Sequence, residues 1–221
     1  MIPKIIHYIW FGGRPLPELA IKCIESWKRY MPEYEIRCWD ESNFDVNRVP
    51  YTREAADAKK WAFVSDYARF WILYRYGGVY FDTDVELVKP MNDIIDTGAY
   101  MGIECGNPDK GISVNPGLGM AIEPQRKFIM DILEIYDKTH FDARLIGTGK
   151  IKTIVHYTTE YLYSKGLENK NELQRVDNIL IYPNTYFCPP LLKDSVNKIS
   201  DNSTSIYGTE TNRDFSYSAM L

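Results

Sequence analysis

Leu73-Tyr74-Arg75-Tyr76-Gly77-Gly78-Val79-Tyr80-Phe81-Asp82-Thr83-Asp84 is the stretch from which the fold is read. Its first four residues close a segment, Trp61 to Tyr76, that is apolar on nearly every side. Such a pattern predicts a central buried helix. Gly77 is well placed for the left-handed cap that ends it. Val79-Tyr80-Phe81 then reads as a short buried strand. Residues i and i+2 of a strand share a face, so Asp82 and Asp84 are expected to point one way and Thr83 the other. Two carboxylates converging at a strand's exit suit a hard cation such as Mn²⁺ or Mg²⁺, which takes oxygen ligands and shares its shell with substrate phosphates. A bare D-x-D also occurs in solvated turns. The apolar strand before it and the Gly-Gly before that favour a site at the carboxyl end of a strand, where open α/β sheets bind ligands.

Working outward, residues 5–10 form an apolar run ending at Gly12-Gly13, which reads as strand and turn. Pro17 to Met31 places Ala20, Cys23, Ile24, Trp27 and Met31 at helical spacing, and Pro32 ends it. Residues 35–39 read as a second strand. Strand, helix, strand in this order predicts a βαβ unit with parallel pairing. A second helix is expected from about Glu54 to Tyr76. Downstream, Ala99–Cys105, Leu118–Ile122 and Ile179–Tyr182 read as strands, and Pro124–Lys138 and 150–165 as helices. The Pro189-Pro190 stretch reads as a loop, and the polar chain from Ser200 onward as surface structure or a mobile tail. Neither a repeat nor a low-complexity linker interrupts the chain, so 1–221 is read as a single α/β domain.

The 221 residues carry a net charge of −4, which gives no basic surface for nucleic acid. The four cysteines, Cys23, Cys38, Cys105 and Cys188, form no CxxC pair and are read as reduced, which points to the cytoplasm. No sequence window reaches membrane-spanning length; peripheral attachment to the inner face of the plasma membrane is left open. His140 and His156 lack zinc-ligand spacing. His7 reads as a satisfied buried histidine.

Further candidates flank the acids. Asp66 and Arg69, spaced i and i+3 on the buried helix, share a face, and charge in apolar surroundings must be paired or used. Ser65 precedes them. Trp10, beside the glycines that include Gly12, is either a core aromatic or a flat platform for stacking.

Together these stretches resemble glycosyltransferase family 32, the DXD-containing sugar transferases. The matching residues are Pro3 through Gly13, then Ser65-Asp66-Tyr67-Ala68-Arg69, then Leu73 through Asp84, with weaker hints at Asn115-Pro116-Gly117 and Gly147-Thr148-Gly149. The resemblance implies a GT-A type fold, a mixed and mostly parallel sheet with flanking helices. Residues 1–90 would form the nucleotide-sugar half, and 91–221 the acceptor half and tail. It also implies a UDP- or GDP-sugar donor, Mn²⁺ or Mg²⁺, retention of configuration, and a glycan or lipid-linked oligosaccharide acceptor in bacterial surface polysaccharide synthesis. Carried over by position, Trp10 would stack on the base, and Asp66 and Arg69 would bind the donor sugar. Tyr80 and Asp82 would approach the nucleotide, and Asp84 would ligate the metal. Gly12, Ser65, Asn115, Gly147 and Thr148 would line the donor site, and Asp82, Asp84 and Arg69 would be catalytic. Relatives often carry a C-terminal histidine motif; here no histidine follows His156.

Other readings compete. Asp82-Thr83-Asp84-Val85 also fits the nucleophile motif of haloacid-dehalogenase-type phosphatases, but the Gly-Asp of their later acidic motif occurs nowhere in the chain. A calcium-binding EF-hand loop fails because its sixth and twelfth positions would be Leu87 and Asp93. The G-x-G-x-x-G of dinucleotide enzymes is missing after the first strand. A nucleotide-sugar binder without catalysis stands as the non-enzyme alternative.

Overall fold

The first ninety residues fold as two parallel units around one long buried helix. A computed structural model describes residues 1–104, 111–188 and 205–207. Strand β1 (Ile5–Ile9) pairs in parallel with β2 (Glu35–Trp39), Ile5 opposite Glu35 through Ile9 opposite Trp39. Helix α1 (Glu18–Tyr30) crosses between them and buries Ala20, Cys23, Ile24 and Trp27, the stripe that its spacing predicts.

The helix expected from Glu54 to Tyr76 is two helices. α2 (Pro50–Asp57) starts at a proline in its first turn, and α3 (Trp61–Tyr76) follows. Lys59 adopts a left-handed φ of 57° between them, and the Lys60 amide reaches back to the Ala55 carbonyl. That closure caps α2 and lets α3 start in a new direction. α3 buries every residue from Phe63 to Phe70, and it ends at Gly77, φ 62°. A Cβ there would lie 2.6 Å from Pro124 Cδ, so the close approach as well as the dihedral requires glycine.

Strand β3 (Gly78–Tyr80) enters the sheet beside β1 in parallel. The remaining elements are β4 (Val85–Leu87), α4 (Asn92–Ile95), β5 (Tyr100–Glu104), β6 (Ser113–Asn115), β7 (Met120–Ile122), α5 (Lys127–Asp137), α6 (Ile154–Ser164), β8 (Gln174–Val176), β9 (Ile179–Tyr182), α7 (Asn184–Phe187) and β10 (Ser205–Tyr207). The main sheet has the order β2-β1-β3-β7-β5-β9-β8, with β6 beside β5. From the pairings, β1, β2, β3, β5 and β9 run one way, five of the eight strands, and β6, β7 and β8 run the other. This is the mixed, mostly parallel sheet expected.

Leu118–Ile122 is not one strand: a 3-10 turn at Pro116–Leu118 precedes β7, because Pro116 lacks the amide a ladder needs. Cys105 and Pro189-Pro190 lie outside the described residues, as does the tail apart from 205–207. That short strand pairs antiparallel with β4, Tyr207 opposite Val85. Among the described residues no helix is long and apolar enough to cross a membrane.

Successive residues of β3 and its exit feed opposite sides of the sheet. Tyr80 joins the core under α3 and α5, while Val79 and Phe81 join the one under α1. Trp27 links α1 to the acidic segment. It is fully buried, its ring lies 5.4 Å from that of Phe81, and its Nε1 donates to the Val85 carbonyl at 2.8 Å. Trp27→Ala is expected to lower unfolding free energy by about 3–5 kcal/mol in urea titration, the range for deleting a buried aromatic.

Candidate active site

Because β1 and β3 are adjacent and parallel, with His7 opposite Tyr80, Trp10, Gly12 and Asp82 all leave from one edge of the sheet. The acids themselves are not on a strand. β3 ends at Tyr80, and Val85 N donates to Asp82 O at 3.1 Å, closing a turn over Asp82–Val85. The shared-face argument for the two carboxylates is therefore replaced by turn geometry. The ladder stops because the partner strand β7 begins at Met120, opposite Tyr80. Beyond that point Asp82 N binds Gly117 O at 3.1 Å, in the 3-10 turn.

Arg69 organises the side chains. It is 6% exposed, and its Nη1 lies 3.2 Å from Asp82 Oδ1 and 3.3 Å from Oδ2. Nη2 donates to Asp66 Oδ1 at 3.3 Å, Nε to the Ser65 carbonyl at 3.3 Å, and the guanidinium stacks 4.8 Å over the Tyr80 ring. Tyr80 Oη donates to Asp82 Oδ1 at 2.8 Å. A buried guanidinium needs such partners, because an unpaired charge in apolar surroundings is costly. Asp66 spends its second oxygen on the Ile154 amide at 3.2 Å, which caps α6. Burial pushes the Asp66 carboxyl up to about 6, against the opposing pull of Arg69 and that amide.

Asp84 differs from these. Its Oδ1 is buried and has no hydrogen-bond partner among the described residues. Burial first, and then the nearby Asp82 charge, pushes its carboxyl up to about 7. An orphaned buried carboxylate oxygen beside a second carboxylate is a fitting place for a hard divalent ion. Among the described residues no group of three or more His, Cys, Asp or Glu side chains is arranged for a metal. The described residues thus offer two carboxylates, and substrate phosphates and water suit remaining positions.

The other expected residues are placed as follows. Trp10 is half-buried, and its Nε1 donates to the Arg14 carbonyl at 2.6 Å, which fixes the ring. Gly12 has φ 93°, and a Cβ on it would meet Trp61 Nε1 at 2.7 Å. Ser65 turns its hydroxyl to the Trp61 carbonyl at 3.0 Å, within its own helix. Asn115 is buried and bridges the Gly117 amide and Glu104, each at 2.7 Å. Gly147 and Thr148 are exposed, and Thr148 Oγ1 bonds the Leu145 carbonyl at 2.6 Å. They join the site only through the chain leading to α6. His7 is the satisfied histidine expected: Nδ1 accepts from Trp39 Nε1 at 3.0 Å, so Nε2 donates to Gly77 O at 2.9 Å. Burial lowers its pKa to about 4.

Glu104 and the α6 amide escaped the sequence reading. Gly117 figured only as part of Asn115-Pro116-Gly117. Nothing local in the sequence marks Glu104, and it reaches the site through strand order alone.

The family described as "Glycosyltransferase sugar-binding region containing DXD motif" matches residues 17–100. This segment is similar to that family's DXD-containing sugar-binding region. The DXD region contains Asp66, Arg69, Asp82 and Asp84. Inositol phosphoceramide mannosyltransferase 3 of Schizosaccharomyces pombe is 32% identical over 104 residues, 45% of this chain and 29% of that protein. An uncharacterized glycosyltransferase of Acanthamoeba polyphaga mimivirus is 33% identical over 106 residues, 45% of this chain and 42% of that protein. The chain thus spans less than half the length of the curated relatives it matches. The solved PaToxG glycosyltransferase superposes with a TM-score of 0.53 at 17% identity, covering 75% of this chain and 70% of that one. A glycosyltransferase involved in glycosylation of the PBCV-1 major capsid gives 0.52 at 13% identity, covering 97% and 100%. The fold around the DXD region is GT-A.

Asp84→Asn should stabilise the cation-free chain while abolishing stabilisation by Mn²⁺. A carboxyl whose pKa rises on folding from 3.8 to about 7 favours the folded state when protonated and loses that contribution as pH climbs through about 7. The mutant's advantage in thermal melts should therefore grow with pH up to about 7 and vanish near the unperturbed value. A mutant that is less stable than wild type above that pH would contradict this account of Asp84.

Proposed function

We propose that the chain transfers a hexose from a nucleotide-diphosphate sugar to a glycan or lipid-linked acceptor, retaining the donor's configuration. The observation that carries this is the buried Oδ1 of Asp84, without a hydrogen-bond partner among the described residues, next to the Arg69-bound Asp82 at the carboxyl edge of parallel strands. When bound there, Mn²⁺ or Mg²⁺ would supply Lewis-acid neutralisation of the leaving diphosphate. The chain's own groups do the rest. Arg69 and Tyr80 hold the Asp82 carboxylate in one orientation, so it need not reorganise as charge develops. Trp10 gives the base a flat surface at the same sheet edge. Asp66 and Arg69 face the transferred sugar in this reading.

Two Schizosaccharomyces pombe relatives, the one above and a second that is 27% identical over 116 residues, are named inositol phosphoceramide mannosyltransferases 3 and 1. Their names support a lipid-linked acceptor and make mannose the first hexose to test. The cellular setting is the one read from the sequence: surface polysaccharide assembly on the cytoplasmic side, at or near the membrane.

A panel of UDP- and GDP-sugars, each with and without Mn²⁺, tests the reading by thermal shift and by release of nucleoside diphosphate. A donor at 100 times its Kd stabilises by about 2.7 kcal/mol, which is a rise of several degrees for a chain of this size. The expected result is one donor class that stabilises and turns over only with the ion. Stabilisation without turnover in the presence of acceptor mimics would leave a binder. Phosphomonoester hydrolysis with no nucleotide-sugar response would indicate the phosphatase.

A further inference from the structure

Glu104 is the last residue of β5, and β5 runs in the same direction as β3 because both are antiparallel to β7. It therefore ends at the edge where Asp82 emerges. One carboxylate oxygen, Oε2, accepts from Asn115 Nδ2 at 2.7 Å. Oε1 takes no hydrogen bond among the described residues.

The same small turn holds both acids. Asn115 Oδ1 accepts from Gly117 N at 2.7 Å, and Gly117 O accepts from Asp82 N at 3.1 Å. Gly117 packs so closely that a Cβ there would overlap Asp82 Oδ2. The other flank is α6. Its first amide binds Asp66, and His156, two residues on, lies near Glu104. Glu104 is thus fixed between the turn that carries Asp82 and the helix that Asp66 caps.

Holding Asn115 needs only a neutral acceptor, and a glutamine carbonyl would serve. Burial instead raises the Glu104 carboxyl above its ordinary value, a cost that a structural role does not require. A carboxylate with one oxygen fixed and the other open binds a hydroxyl strongly, through a charge-assisted hydrogen bond.

We propose that Glu104 is a sugar-binding residue whose Oε1 accepts a hydrogen bond from a hydroxyl of the transferred hexose. This deepens the function proposed above and rests on it.

The test compares two affinities in Mn²⁺: one for the nucleotide sugar that gives the largest thermal shift, the other for its nucleoside diphosphate alone. Glu104→Gln keeps the acceptor for Asn115 and removes the charge. Its nucleotide-sugar affinity should fall about tenfold, the worth of one hydrogen bond to a charged group, while nucleoside diphosphate affinity stays within about twofold. Glu104→Asp keeps the charge but shortens its reach, and should show the same selective loss, so the question survives if one variant folds poorly. Equal losses for both ligands would assign Glu104 to support of the turn and overturn the proposal. No loss for either would overturn it as well. A wild-type chain that binds no nucleotide sugar sinks the parent function; one that binds it while Glu104→Gln is unaffected sinks this inference alone.

Discussion

The buried guanidinium of Arg69 is the interaction on which the site depends. It pairs with Asp66 on its own helix and Asp82 on the turn, and it stacks on Tyr80. Removing one member of such a buried set leaves an uncompensated charge, at a cost of about 3–5 kcal/mol. The consequences spread beyond the pair. Asp66 is held where it can cap α6, and Asp82 is held where Gly117 presses on it. Arg69 thus ties the parallel half of the sheet to the later elements that complete the edge.

Asp84 shows the opposite economy. Every other acid of the site has a donor, but among the described residues Asp84 Oδ1 has none. Its position opposes the chain's own stability and makes sense when a cation arrives. A buried carboxylate oxygen left without a donor, beside acids that each have one, is how a preformed ion site differs from a loose acidic patch.

Much of this was legible in the sequence where the pattern was local. The stripe on α1, the all-round apolar character of α3 and the glycine stop at Gly77 each report a helix's surroundings, and each is found as read. Asp66 and Arg69 share a helix face, so their pairing follows from spacing alone. What escaped depended on dihedrals or on strand order. The break at Lys59 comes from a left-handed lysine, which no periodicity announces. The turn at Asp82–Val85 depends on where β7 stops pairing with β3, a contact between residues about forty apart. Glu104 is near the site only because β5 lies beside β7, an order no local pattern encodes.

The central claim is that the position of Asp82, and not merely its presence, makes the ion and donor site. Gly117→Ala tests this most directly. Both acids remain, the glycine has no left-handed φ to strain, and the added Cβ would meet side-chain atoms, the Asp82 carboxylate and Arg69 Nη1 at 2.9 Å, not backbone. The account predicts a folded chain whose Mn²⁺-dependent nucleotide-sugar turnover falls by about tenfold or more, one hydrogen-bonded carboxylate having been displaced. Turnover equal to wild type at matched Mn²⁺ would contradict it.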